Sequence, residues 1–280
     1  MKLTIGTALA AASLLTLAAC NSQAPVQNAE TEQPAAPAAT GGGIAGNWKA
    51  DLASAKFEAS PDVYLLKDGQ YVCSSCKPPM TTPADGKFHA VADRPYYDSL
   101  AVTVVDPNTV KFERKKGDRD VGSSTWQVSS DGKTLNAEFV DKTAATPVTG
   151  KGTSTRVAAG PAGSHAVSGT WKANVLNSLS DEGLAFTYEV DGDTIRNKAG
   201  DGTGYEAKIG GPDVAVTGDQ SGLMVAVTKP SDNTYLETFK RAGKVVGAAT
   251  TTVGADGKLS TVYENKLQGS TTRYTASKQP

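Results

Sequence analysis

The chain writes one unit twice, and this recurrence limits the folds open to it more than any single motif. GNWKADL, starting at Gly46, returns as GTWKANV at Gly169, which sets Trp48 and Trp171 in matching places. VDPNTVKFERKKGDRDVGSSTWQVSSDGKTL from Val105 is answered by PSDNTYLETFKRAGKVVGAATTTVGADGKLS from Pro230. Asn108, Gly122 and Gly132 thereby share one offset with Asn233, Gly247 and Gly257. Both copies then run to similar phrases, GTSTRV through Arg156 and GSTTRY through Arg273. Three phrases in one order at nearly constant spacing mark an internal duplication.

Each copy reads as antiparallel β structure. SLAVTVV, TVKFERK, STWQVSS, TYLETFK and KLSTVYE alternate or carry branched and aromatic residues, as half-buried strands do. Asp-Gly pairs at Asp68, Asp85, Asp131, Asp191, Asp201 and Asp256 supply the positive backbone dihedrals of tight hairpins. The expected fold class is therefore all-β: two tandem antiparallel meanders, closed as two barrels or joined in one barrel-like sheet, since closure removes exposed edges. The one helical candidate lies between Asp51 and Ala59.

The Gly-x-Trp openings at Trp48 and Trp171 resemble the start of lipocalin and other calycin-like barrels. In those barrels an arginine on the last strand covers the tryptophan. The resemblance implies two closures, Trp48 with Arg156 and Trp171 with Arg273. The body from Gly46 onward also resembles a group of bacterial envelope proteins of unknown function with Gly-x-Trp openings and late R-x-GK…S-x-DGK hairpins. Arg241, Gly243 and Lys244, then Asp256, Gly257 and Lys258, carry that likeness in the second copy; the first keeps Asp131 to Lys133 but has GDRD in place of GKVV. The likeness implies a β-rich lipoprotein body and no chemistry.

The N-terminus supplies the address. Lys2 precedes an apolar run from Leu3 to Ala19 that ends in LAAC, the layout of a secretory signal at residues 1–19, too short and poorly flanked for a permanent span. The ending resembles a bacterial lipobox, which implies a lipid-modified Cys20. From Cys20 to Gly43 a stretch rich in Pro, Ala, Gln and Gly, without aromatic residues, cannot offset its ordering entropy by forming a core, so residues 20–43 read as a flexible linker. Asn21 after the lipid cysteine resembles lipoproteins sorted to the periplasmic face of the outer membrane, with the inner membrane as the alternative. The two repeat units then occupy 44–160 and 161–280. With 28 basic and 29 acidic residues and no basic block, the chain lacks a nucleic-acid footprint.

Chemistry is harder to find. YVCSSCKPP sets Cys73 and Cys76 two residues apart, but Lys77 stands where haem attachment needs histidine. A zinc site needs two further ligands, and His89 and His165 lie far apart in the sequence. A thioredoxin-like couple needs a helix after the first cysteine, which Pro78 and Pro79 oppose. A structural disulfide is the expectation for an exported chain, with a redox couple left open. Ser164 beside His165 falls at the repeat junction and reads as linker. No hydrolase or phosphate-loop motif occurs, and most carboxylates accompany turn glycines. No catalytic residue, metal or cofactor is assigned. Arg94, Tyr96 and Tyr97 in FHAVADRPYYDS are candidates to bind a small hydrophobic or amphipathic ligand at a barrel mouth. The expected function is a non-enzymatic envelope lipoprotein that binds a small ligand, lipid or cell-wall component. The alternatives are a structural or protein-interaction module with an envelope partner, and a disulfide-active or hydrolytic enzyme. The partners expected with it are outer-membrane lipid through the acyl anchor and an envelope protein.

Overall fold

The computed structural model describes residues 43–280; the signal, Cys20 and the linker short of Gly43 lie outside the described residues. The first half carries β1 (Gly46–Glu58), β2 (Asp62–Lys67), β3 (Gln70–Cys73), β4 (Met80–Pro83), β5 (Phe88–Ala90), β6 (Ser99–Asp106), β7 (Thr109–Lys116), β8 (Arg119–Val128), β9 (Thr134–Asp141) and β10 (Val148–Ala159). The second carries β11 (Gly169–Leu179), the one-turn α1 (Asp181–Leu184), β12 (Ala185–Asp191), β13 (Thr194–Ala199), β14 (Gly204–Lys208), β15 (Val214–Ala215), β16 (Leu223–Ser231), β17 (Thr234–Arg241), β18 (Lys244–Val253), β19 (Leu259–Asn265) and β20 (Ser270–Gln279). Five of the six Asp-Gly pairs fall between consecutive strands, and the sixth, Asp191-Gly192, straddles the end of β12. At Asp68-Gly69 both residues have positive φ, 51° and 72°, the twist that a two-residue hairpin needs. The expected helix between Asp51 and Ala59 is instead part of β1.

The strands form two antiparallel sheets of ten, in the orders β4-β3-β2-β11-β10-β9-β8-β7-β6-β5 and β14-β13-β12-β1-β20-β19-β18-β17-β16-β15. Each bends round until its ends nearly meet. In the first barrel the Gly86 amide donates to Val102 O at 2.9 Å. In the second, Gly204 and Thr217 exchange backbone bonds of 3.0 and 2.7 Å. Two tandem barrel-like sheets, rather than one joint sheet, are the architecture, consistent with the calycin-like outline.

The sheets cut the sequence one strand out of phase with the repeat. The first barrel runs without a break from β2 to β11, so the opening strand of the second copy, with Trp171, closes it against β2 and β10. The opening strand of the first copy, β1, crosses to the second barrel and lies between β12 and β20. The division at residue 160 therefore describes the duplication, while the barrels are 62–179 and 185–279 with 46–58 added.

Both opening strands are built alike. Trp48 and Trp171 are 1% and 0% exposed, and each indole donates to the carbonyl four residues earlier, to Ile44 O at 2.8 Å and Val167 O at 2.9 Å. The glycines two residues before them have φ of 139° and 136°. A Cβ on Gly169 would lie 2.4 Å from Ala158 O, so only glycine lets the neighbouring strand approach. Each barrel has its own apolar core, and β10 and β11 lend Val148 and Leu179 to the core of the second.

Candidate functional site

Strand exchange decides which cation covers which indole. Arg156 on β10 sits opposite Trp171, with its guanidinium carbon 4.0 Å from the ring centre. Trp48 is covered instead by Lys278, 5.6 Å from the ring centre and opposite it on β20. Arg273 ion-pairs with Glu58 at 2.7 Å on the exposed flank of β1. The expected pairs Trp48–Arg156 and Trp171–Arg273 are thus corrected twice. The partners are exchanged between copies, and the structural counterpart of Arg156 is Lys278, not Arg273. Arg156 also donates to the carbonyls of Gly132, Ala166 and Ser168, the last two at 2.6 and 2.7 Å, and partial burial lowers its pKa from the ordinary value.

Cys73 and Cys76 form a disulfide inside the first barrel, with Cys73 wholly buried. Ser75 ties the loop to β2 by accepting from the Val63 amide at 2.9 Å. Lys77 reaches across to Gln268 O of the second barrel at 3.1 Å.

Arg94, Tyr96 and Tyr97 do not converge on one site. Arg94 donates to Lys77 O and Pro78 O and so braces the disulfide loop. Tyr97 packs against the first core with Arg114 over its ring at 5.8 Å. Tyr96 reaches the second barrel, where its hydroxyl donates to Asp219 at 3.0 Å and accepts from Arg241 at 3.2 Å. Burial lowers the Arg241 pKa to about 10. This loop is a seam between barrels.

The two interiors differ in kind. In the first, Tyr64, Tyr71, Phe112 and Trp126 pack ring on ring, with centroids of successive contacts 4.5 to 6.3 Å apart. At the repeat offset, Glu237 stands for Phe112 and Thr251 for Trp126, and register sets Tyr188 in the place of Tyr64. Glu237 is 7% exposed. One carboxylate oxygen accepts from the Tyr188 hydroxyl at 3.3 Å and the other accepts from Tyr205. Thr251 and Thr261 share a hydroxyl contact of 3.1 Å behind them. Burial raises the pKa of Glu237, opposed by its two phenol donors, and burial raises both phenols well above their ordinary value. The sequence signal for this group was its inward phase between Tyr235 and Phe239.

An open groove of about 370 Å³ lies along β12, β13 and β14, edged by Thr187, Glu189, Arg196, Lys198, Glu206 and Thr217. Arg196 bonds Glu206 at 2.6 Å, and its pKa is raised first by Glu206 and then by Glu189 and Asp191.

At the repeat junction Ser164 donates to Pro161 O at 2.7 Å. His165 Nδ1 accepts from the Val167 amide at 3.2 Å, which leaves Nε2 to donate to Asp106 O at 2.7 Å. Both groups hold the backbone rather than each other. His89 pairs with Asp85 at 2.9 Å. Among the described residues no group of three or more His, Cys, Asp or Glu is placed to hold a metal, and no helix is long and apolar enough to cross a membrane.

Fold and sites together define an all-β protein of two nearly closed barrels, each closed by a strand from the other copy. Comparison with protein-family models, with curated proteins and with solved structures gives no match.

Proposed function

We propose that the protein is a non-enzymatic envelope lipoprotein, anchored through Cys20, that binds its ligand on the outside of the second barrel rather than within either one. The observation that carries this reading is the contrast between occupied interiors and an open, charged outer groove. Buried side chains from most of the strands pack both barrel interiors, whereas Arg196 and Lys198 beside Glu189 and Glu206 offer cations and carboxylates to solvent at one concave place. That donor set suits a small polar ligand carrying both amino and carboxylate groups, as peptide ends of cell-wall material do.

The test is a titration of the isotopically labelled, delipidated body with synthetic cell-wall peptides, read by amide shifts. Saturable shifts confined to β12–β14 and abolished in Arg196→Ala support the reading, and shifts absent or spread over both barrels overturn it. Anchoring is tested separately: Cys20→Ser should move the protein from the membrane to the soluble fraction with the body still folded. A second reading, a protein-interaction module, is favoured by the same packed interiors. Co-purification of one envelope protein with the anchored form, lost on mutating exposed residues away from the groove, would select it.

A further inference from the structure

We propose that Glu237, held between Tyr188 and Tyr205, is a proton-binding site, without a counterpart in the interior of the first barrel, through which the second barrel responds to the acidity of its surroundings. The argument starts from a carboxyl where the first barrel has a phenyl ring. Glu237 points inward from β17, and no Lys, Arg or His lies within ion-pair distance of it among the described residues. The groups that face it are Tyr188 from β12, Tyr205 from β14 and, further off, Tyr274 from β20; its cross-strand neighbours on β16 and β18 are Val227 and Ala249. Arg241, on the same face of β17, bonds Ser221 and Tyr96 through Nε and Nη2, and its buried Nη1 is left without a hydrogen-bond partner and makes no ion pair with Glu237. A carboxylate in such a place has two phenol donors but no counter-charge, and a buried charge without one is costly, so the proton is held to higher pH than on an exposed glutamate.

Burial raises the carboxyl's pKa, and the direction of the consequence follows. The unfolded chain ionises this group at the ordinary glutamate value; the folded chain does so only at higher pH. The contribution to stability is complete below the ordinary value, declines as pH rises toward the folded value, and is lost above it. Within that window the folding equilibrium constant falls about tenfold per pH unit from this group alone. The first barrel has no counterpart. Its buried titratable groups at matching depth are the phenols of Tyr64 and Tyr71, which burial pushes upward, away from neutral pH.

The experiment is a carbon-detected titration of the side-chain carboxyls in the body, with urea unfolding at the same pH values for wild type and Glu237→Gln. One glutamate carboxyl, missing from the variant, should titrate above the others. The ratio of wild-type to variant unfolding constants should rise about tenfold per pH unit across that window. Hydrogen exchange, corrected for its intrinsic pH dependence, should quicken on β17 and not on β7. Glu237 titrating with the exposed carboxyls, or parallel pH profiles in the two proteins, overturns the proposal. Should the glutamine variant fail to fold, the assigned wild-type titration with the β17-to-β7 exchange ratio decides alone.

Discussion

The two barrels share a strand plan, a turn chemistry and an indole at the closing strand, yet one is filled by rings and the other by a carboxyl with phenols. Phe112 and Trp126 in the first give way to Glu237 and Thr251 in the second, and Tyr205 and Tyr274 stand where the first has Met80 and Gly152. Large residues have been lost at two places and gained at two others, so the interior stays filled while its chemistry changes. An aromatic core is held by area and packing and is indifferent to pH. A polar network depends on every member finding its partner. One strand plan thus holds two kinds of interior in a single chain.

The largest effect that can test this comparison comes from the two indoles. Trp48→Ala and Trp171→Ala should each cost about 3 to 5 kcal/mol, because both are fully buried in matched sites. The damage should appear in the opposite copy: loss of Trp171 should speed exchange in β2 and β10, and loss of Trp48 should do so in β12 and β20. Exchange loss within the mutated copy would break the exchanged-strand description.

A medium effect separates the cations that cover them. Arg156→Ala should cost about 2 kcal/mol, the scale of charge-assisted bonds to part-buried carbonyls. Lys278→Ala should cost less than about 1 kcal/mol, since its contact is a single distant cation over a ring. Equal losses in chemical unfolding would mean that Arg156 does not hold the junction through Gly132, Ala166 and Ser168.

The smallest expected effect is a gain. Ala242 turns β17 into β18 with φ of 47°, where the matching turn of the first barrel uses Gly117 at 57°. Ala242→Gly should stabilise the protein by about 0.5 to 1 kcal/mol by relieving the left-handed strain, with Gly117→Ala losing a similar amount. Unfolding midpoints that move the same way for both variants would remove the strain argument.

Much of this was legible in the sequence because turns and repeats are local. Asp68-Gly69 states its own hairpin, and a matched pair of Gly-x-Trp strands states two closures. The register of the closing strands was not legible. GTSTRV and GSTTRY match as text, but threonine-rich strands lack an apolar pattern to fix their phase, and pairing puts Arg156 opposite one indole and Lys278 opposite the other. The Asp51–Ala59 stretch looked helical because β1 shifts register against β20 between Asp51 and Lys56 and buries no consistent face there. Carboxylates read as turn acceptors are so at Asp85, Asp131 and Asp256, each accepting an amide two residues on. Glu237 is the exception, and the phenylalanine in its place one repeat earlier was the clue. The ligand candidates failed to converge because Arg94, Tyr96 and Tyr97 lie on a loop between strands, where neighbouring side chains are free to face different barrels.

The place of β1 also sets an order of events during synthesis. The first barrel has all its strands once the chain has emerged through Leu179, and its pairings join neighbours in sequence apart from the closing contact of β11 with β2. The second barrel cannot be complete until the last ten residues arrive, because β1 must pair with β20, at the opposite end of the body. Trp48 is therefore among the first body residues made and among the last to be housed. Contacts so distant along the chain close slowly. A chain cut short between Leu179 and β20 keeps one finished barrel and carries a homeless indole at its head, a ready mark for whatever surveys incomplete proteins.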